Sequence, residues 1–458
     1  MRSTKHNTHR VARLAPRAQV RYSSVPCAAN IAQAELSNGL RVFAYENFAS
    51  PSVVVRGYLV AGACDEAPAG PPGSPEVDAG ANHAGVNRAG LAAFVADCLM
   101  RGAGSLSYEQ IFQQIESIGA HLDVSGGMHT TGFYAKSLVE DLPFMVDLLS
   151  TVLIHPTFPS EEIERERGEW LTTLQERANS ASAMAGLIFN ELCYPAGHPY
   201  RYSIEGYPET ARALTRDDLV AFHRTYFSPQ DMVIVIVGAV KAEDAHALVE
   251  RAFGAWRANR PARPPLPAAP KLQASIRRHH AMPGKAQTSL MVGHPGPSRR
   301  DPDWIKLALM NSILGQFGMY GRLGQRVRKE RGLVYAIGSY LEGGLGPGPW
   351  HISAGVHPDL VDRVIEICLA EMRRLRERKV RPQELQDNQF YFIGSLPLRM
   401  ETNDGIAGQI VHMARYELGL DYLLHYPDRV RAVTPADIQA VACTWLDPDH
   451  VAVATAGP

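Results

Sequence analysis

No run of about eighteen consecutive apolar residues occurs in the 458-residue chain, so an ordinary membrane-spanning helix is not expected. Nor is there an excess of basic charge. The 46 Lys and Arg against 47 Asp and Glu leave a net charge of −1, which gives nucleic-acid binding no electrostatic support. Cysteine is sparse. The six thiols, at positions 27, 64, 98, 193, 368 and 443, form no Cys-x-x-Cys pair and read as free, mostly buried side chains of a reducing compartment. No acid precedes Glu35, whereas Arg2, Lys5, Arg10, Arg13, Arg17 and Arg21 are basic. An apolar segment for a secretory signal is missing there too. Residues 1–33 therefore read as a disordered basic tail on a cytoplasmic protein, with a mitochondrial transit peptide as the alternative.

What is present is enough apolar material, 45% of residues, for more than one hydrophobic core. The folded part is expected to begin at Ala34, where Asn38-Gly39 between two strand-like runs marks a two-residue hairpin with positive φ at both turn positions. A strand is expected at Val53 to Leu59. The Gly-, Pro- and Ala-rich stretch 67–89 is then a long loop. It leads to Gly90-Leu-Ala-Ala-Phe-Val-Ala-Asp-Cys-Leu-Met-Arg-Gly102, in which 91, 94, 95, 98 and 99 form one buried helix face closed by glycines. Helices are expected at 108–118, 141–153 and 160–178, the last capped by Ser160, with a strand at 132–138.

The chain also repeats itself. Thr215-Arg-Asp-Asp-Leu, Phe227-Ser-Pro-Gln-Asp and Val233-Ile-Val-Ile-Val-Gly238 return as Thr434-Pro-Ala-Asp-Ile, Leu446-Asp-Pro-Asp-His and Val451-Ala-Val-Ala-Thr-Ala-Gly457, at one constant offset. A second echo sets Asp141-Leu142 and Pro159 against Asp359-Leu360 and Pro382, with a short insertion assigned to a connection. These echoes predict an α+β protein of two similar domains, each a mainly antiparallel sheet packed by helices. The domains are placed at 34–256 and 274–458, joined by a Pro-rich extended linker at 257–273.

Gly90-Leu-Ala-x-Phe-x-x-x-x-Leu-x-Arg-Gly102, Gly197-His-Pro-Tyr200, Gly315-Gln-Phe-Gly-Met-Tyr-Gly-Arg-Leu323 and Val327-Arg-Lys-Glu-Arg-Gly-Leu-Val-Tyr335 together resemble the pitrilysin/insulinase metallopeptidases, including the mitochondrial processing peptidase. The resemblance implies a clamshell in which each subunit supplies one half. It also implies an inverted zinc motif, His-x-x-Glu-His, whose histidines share a helix face and whose Glu activates water. Here the first His position is Ala93, the Glu is Ala96, the second His is Asp97, and the third ligand, a Glu on a later helix, falls at Thr173. A relocated metal site from Asp97 and His83 is the weak alternative. Arg328 and Tyr335, seven apart, match the family's substrate-binding pair, which donates to the oxyanion of the tetrahedral intermediate.

The resemblance thus points to the non-catalytic subunit of a heterodimeric zinc peptidase. Such a subunit would enclose a peptide substrate, hold no cofactor of its own, and pair with a homologous zinc-bearing catalytic subunit. A structural subunit of the respiratory-complex core type is the rival reading. Gly343-Gly-Leu-Gly-Pro-Gly-Pro349 lacks a phosphate-loop lysine and reads as a flexible hairpin, and His279-His280 as a solvent-facing strand start.

Overall fold

In the computed structural model, residues 25–66 and 88–458 are described. Residues 1–24 of the expected tail, 67–87 of the expected loop, and His83 lie outside them. Two sheets organise the chain. The first takes β1 (Ala32–Glu35), β2 (Arg41–Glu46), β3 (Ser52–Leu59), β6 (His121–Gly126), β7 (Thr131–Leu138) and β8 (Val233–Gly238) in the order β1-β2-β8-β3-β7-β6. The second takes β9 (Ile276–Ala281), β10 (Thr288–Pro295), β11 (Val334–Leu341), β12 (Pro349–Val356) and β13 (Ala452–Gly457) in the order β11-β12-β10-β13-β9. Each has one parallel pair, β2 with β8 and β13 with β9, and is otherwise antiparallel. Apart from the added β1, the two orders superimpose strand for strand. A small pair, β4 (Gly102–Ala103) and β5 (Leu106–Ser107), stands apart.

The helices of the first half are α1 (Leu91–Cys98), α2 (Tyr108–Ser117), α3 (Leu142–Ile154), α4 (Ser160–Ala178), α5 (Ala181–Cys193), α6 (Pro208–Ala213), α7 (Arg216–Tyr226) and α8 (Ala242–Phe253). Those of the second are α9 (Trp304–Asn311), α10 (Val361–Glu377), α11 (Pro382–Arg399), α12 (Asn403–Tyr416), α13 (Tyr422–Arg431) and α14 (Pro435–Trp445).

The constant-offset repeat is α7-β8 and α14-β13. Both helices start on the same reciprocal cap. Thr215 Oγ1 accepts from Asp218 N–H (3.3 Å) while Asp218 accepts from Thr215 N–H (2.9 Å), and Thr434 and Asp437 repeat this at 3.2 and 2.9 Å. Thr215→Ala and Thr434→Ala should each cost about 1 kcal/mol in urea unfolding. A loss at only one of them would break the equivalence.

Each sheet is covered on one face by its own helices and on the other by a helix from the opposite half. In β8 the period-2 alternation sends Ile234 and Ile236 to the core with α1, α3 and α7. Val233, Val235 and Val237 go to the other face, where α12 lays Ile406, Ala407, Ile410 and Met413. Reciprocally, α5 places Ile188 and Phe189 on Ala452 and Ala454 of β13. The alanines on that face let the helix approach closely.

Several sequence expectations need correction. The folded chain begins before residue 34. Val25 and Ile31 are buried against α12 and α13, and Asn30 ties the segment by accepting from Cys27 N–H and donating to Val25 C=O. At the β1–β2 hairpin only Gly39 has positive φ, at +85°. The loop is longer than two residues, with Gly39 N–H donating to Leu36 C=O. Pro159, not Ser160, is the N-cap of α4, and no side-chain cap forms there. Most of the extra length in the second echo, four residues of five, lies in the helix, 17 residues in α10 against 13 in α3, and not in a connection. His279 and His280 lie late in edge strand β9, not at its start, and His279 Nδ1 sits 3.0 Å from Thr455 Oγ1.

Candidate functional site

Helix α1 begins where Gly90 takes φ +96°, and a side chain there would collide with the Trp170 ring and the Glu205 backbone. The buried Glu66 carboxylate caps this end, accepting from Gly90 N–H at 3.1 Å and Ala92 N–H at 2.7 Å. Phe94 stacks on Trp170 of α4 at 4.6 Å between centroids, which sets the spacing of the two helices. Between α1, α4 and β6 remains a cavity of about 490 Å³ whose walls include Ala93, Asp97, Gly126, Thr173 and Glu205. The i, i+4 register therefore does bring Ala93 and Asp97 to one wall, with Thr173 beside them. Ala96 turns away into the core, 1% exposed.

These side chains do not fit a zinc ion. Ala93 and Ala96 offer no donor, and the Thr173 hydroxyl donates to Glu169 C=O of its own helix. The nearby Glu166 and Glu169 carboxylates are both taken up by Arg101. Among the described residues no three His, Cys, Asp or Glu side chains converge as zinc requires.

Asp97 is the one carboxylate at the former ligand positions. Burial, with the charges of Glu166 and Asp123, pushes its pKa up to about 7 against the partial opposition of Arg101. A carboxyl raised in the folded state favours folding below its unfolded pKa, and this contribution is lost as the pH climbs through about 7. Asp97→Asn should therefore raise stability relative to the unaltered protein at about pH 8.5 and change it little at about pH 4, read by urea unfolding at each pH. An equal shift at both would remove the titration from the explanation.

Arg328 and Tyr335 are brought together. Gly324–Lys329 forms a wide π-helical turn, and Gly332 (φ +63°) reverses the chain into β11. The β11–β12 register runs Val334↔Val356 and then Ile337↔Ala354, so one extra residue bulges at Tyr335-Ala336. The bulge turns the Tyr335 ring outward, 80% exposed, and the Arg328 guanidinium lies 5.3 Å from its centroid. The neighbouring arginines are all paired: Arg322 with Glu384, Arg326 and Arg331 with Glu330. Among the described residues Arg328 has no carboxylate partner. Neither Arg328 nor Tyr335 lines the cavity over Ala93, whose walls come from the first half alone.

The halves meet around Tyr200. Gly346 N–H donates to its hydroxyl (3.0 Å), which in turn lies 2.5 Å from His129 Nε2. The other ring nitrogen of His129, Nδ1, faces Cys64 Sγ at 3.4 Å. Burial holds His129 down to about 3 and lifts Cys64 to about 12, so this network carries neither an acid–base group nor a thiolate at neutral pH. It pins the 343–349 loop, as does Tyr194 Oη donating to Pro347 C=O at 2.9 Å. The expected hairpin is there, joining antiparallel β11 and β12, but it is docked rather than flexible. Sequence reasoning missed His129, which is 71 residues from Tyr200 and belongs to no motif. A chamber of about 530 Å³ beside Tyr200 shares Ile204 and Glu205 as walls with the cavity over Ala93.

The sequence matches the family profile described as "Insulinase (Peptidase family M16)" over residues 76–194 and the one described as "Peptidase M16 inactive domain" over 213–390. An uncharacterized zinc protease of Streptomyces coelicolor is 27% identical over 363 residues, 77% of each chain. The mitochondrial cytochrome b-c1 complex subunit 1 of Homo sapiens is 29% identical over 246 residues, 53% of this chain and 50% of that one. In fold, the chain is similar to a peptidase M16 inactive domain from Pseudomonas fluorescens, with TM-score 0.84 and 24% identity over 94% of this chain and 98% of the other. A protease from Helicobacter pylori gives TM-score 0.82 at 17% identity, covering 95% of this chain and 100% of that one.

Proposed function

We propose, from the premise that this chain belongs to the insulinase family of peptidases (M16), that it is the non-catalytic subunit of a two-subunit zinc peptidase. One observation carries the reading. Arg328, the member of its cluster without a counter-ion, is stacked on an outward-facing Tyr335, away from its own chain's cavity. A guanidinium and a phenol presented together are donors suited to an oxygen that gains charge in a transition state. A donor pair facing outward is accessible to another subunit, which supports this reading. Among the described residues, no group of side chains converges to hold a metal ion, which supports the same reading. In this reading the partner is a homologue that carries the zinc. This chain holds no cofactor, encloses the peptide and donates from Arg328 and Tyr335, in the cytoplasm.

The test is purification of the chain alone and with a co-expressed zinc-bearing homologue. Alone, it should carry no stoichiometric zinc and cleave no unstructured peptide; with the homologue, cleavage should appear. Full peptide cleavage by the isolated chain would sink the proposal. The similarity to cytochrome b-c1 complex subunit 1 favours a second reading, a structural subunit without proteolysis. That reading gains if a complex with a homologue forms and still cleaves nothing.

A further inference from the structure

A separate cavity of about 310 Å³ lies in the second half beneath Gly343, enclosed by α9, α11, α12 and α13. Its lining includes two arginines, Arg299 and Arg399, and no carboxylate. Arg299 is only 7% exposed. Its guanidinium is 4.8 Å from the Trp304 ring centroid, 5.6 Å from that of Tyr416 and 5.9 Å from that of Tyr422. One amino group donates to His412 Nε2 (2.8 Å) and Tyr422 Oη (3.2 Å). His412 accepts, so it is neutral. Burial first, then the guanidiniums of Arg299, Arg415 and Arg399, hold it down to about 4. Three arginines thus surround one uncharged imidazole, and among the described residues none of the three has a carboxylate at ion-pairing distance. Arg415 Nε is buried without a hydrogen-bond partner.

A desolvated guanidinium without a counter-ion is costly, and ring faces offset only part of that cost. Phe392, Leu396, Leu423 and Tyr426 form an apolar and aromatic part of the wall, and the amides of Gln316 and Gln409 add polar groups beside it. We infer that this cavity is a binding site for a small organic carboxylate, its charged end on Arg299 and Arg399 and its apolar body against the α11 and α13 side chains. The volume lies at the lower end of ligand pockets and admits one small molecule rather than a length of chain. The inference is independent of the peptidase reading, since neither Arg328 nor Tyr335 lines the cavity.

The test is calorimetric titration of the full chain with phenylacetate, with its neutral isostere phenylacetamide, with inorganic phosphate and with the dipeptide Gly-Phe. Phenylacetate should bind at one site per chain and raise the Tm, and phenylacetamide should bind at least about tenfold more weakly, because it has no charge for the guanidiniums. Arg399→Gln, at an exposed position, should weaken phenylacetate about fivefold or more without altering the unliganded Tm. Arg299→Lys, which keeps the charge but not the planar fork, should weaken it as well. No saturable phenylacetate binding, equal binding of the amide, or an unchanged affinity in Arg399→Gln would overturn the inference. Phosphate binding as tightly as phenylacetate would overturn the apolar half of it. Tighter binding by Gly-Phe would overturn the small-acid assignment in favour of a peptide terminus.

Discussion

Arg328→Ala in the proposed two-subunit peptidase should lower kcat by about 10²- to 10³-fold with little change in KM, the loss expected if Arg328 is a preorganised oxyanion donor. The expectation rests on what Arg328 does not do. Among the described residues no carboxylate holds it, so the folded chain forfeits chiefly its stacking on the Tyr335 ring, about 0.5–1 kcal/mol at so exposed a site. Urea unfolding of the isolated subunit should therefore barely move while turnover collapses. Tyr335→Phe should keep the ring under the guanidinium and remove only the hydroxyl. Arg328→Lys should recover part of the lost rate, because an ammonium is a point charge without the planar fork. A stability loss matching the activity loss would make Arg328 a structural residue. A change confined to KM would make it a ground-state contact.

Phe94→Ala should be the most damaging single substitution in the first half, at about 3–5 kcal/mol in the cavity-creating range for a buried aromatic. Phe94 is fully buried, lies parallel to Trp170 at 4.6 Å, and has the Arg167 guanidinium 5.3 Å from its centroid. Removing the ring would empty the contact that spaces α1 from α4. That loss is a large share of the stability of an ordinary domain, about 5–15 kcal/mol. Equilibrium unfolding should show the midpoint collapse. A shift under about 1 kcal/mol would mean that Trp170 closes into the space. The neighbouring position 93 behaves oppositely. It faces a cavity and carries a methyl, although a Cβ on Gly126 would lie only 2.6 Å from the Ala93 Cα.

Much of this architecture is visible in one dimension because local signals dominate it. The spacing of Leu91, Phe94, Val95, Cys98 and Leu99 identifies a buried helix face, and all five side chains are buried. The two Thr-x-x-Asp caps locate the duplicated units, since a capping box is complete within four residues. Hidden features depend on partners far away in the chain. Amphipathic spacing shows that α5 and α12 bury a face, but not that each buries it on the other half's sheet. The Tyr335 bulge depends on β12, and the Tyr200–His129 pairing joins residues with no shared motif. The Asn38-Gly39 signal located the turn but not its type. The buried segment from Val25 was obscured by the arginines that precede it.

The exchange of α5 and α12 bears on how such a chain could arise. A lone ancestral half, shorn of its fellow, would have had one apolar sheet face open to water and a stray amphipathic rod with nowhere to lie. Two identical copies remove both problems by trading rods. A half of this kind is thus expected to be stable as a symmetric pair rather than alone, and the covalent join makes that pairing intramolecular.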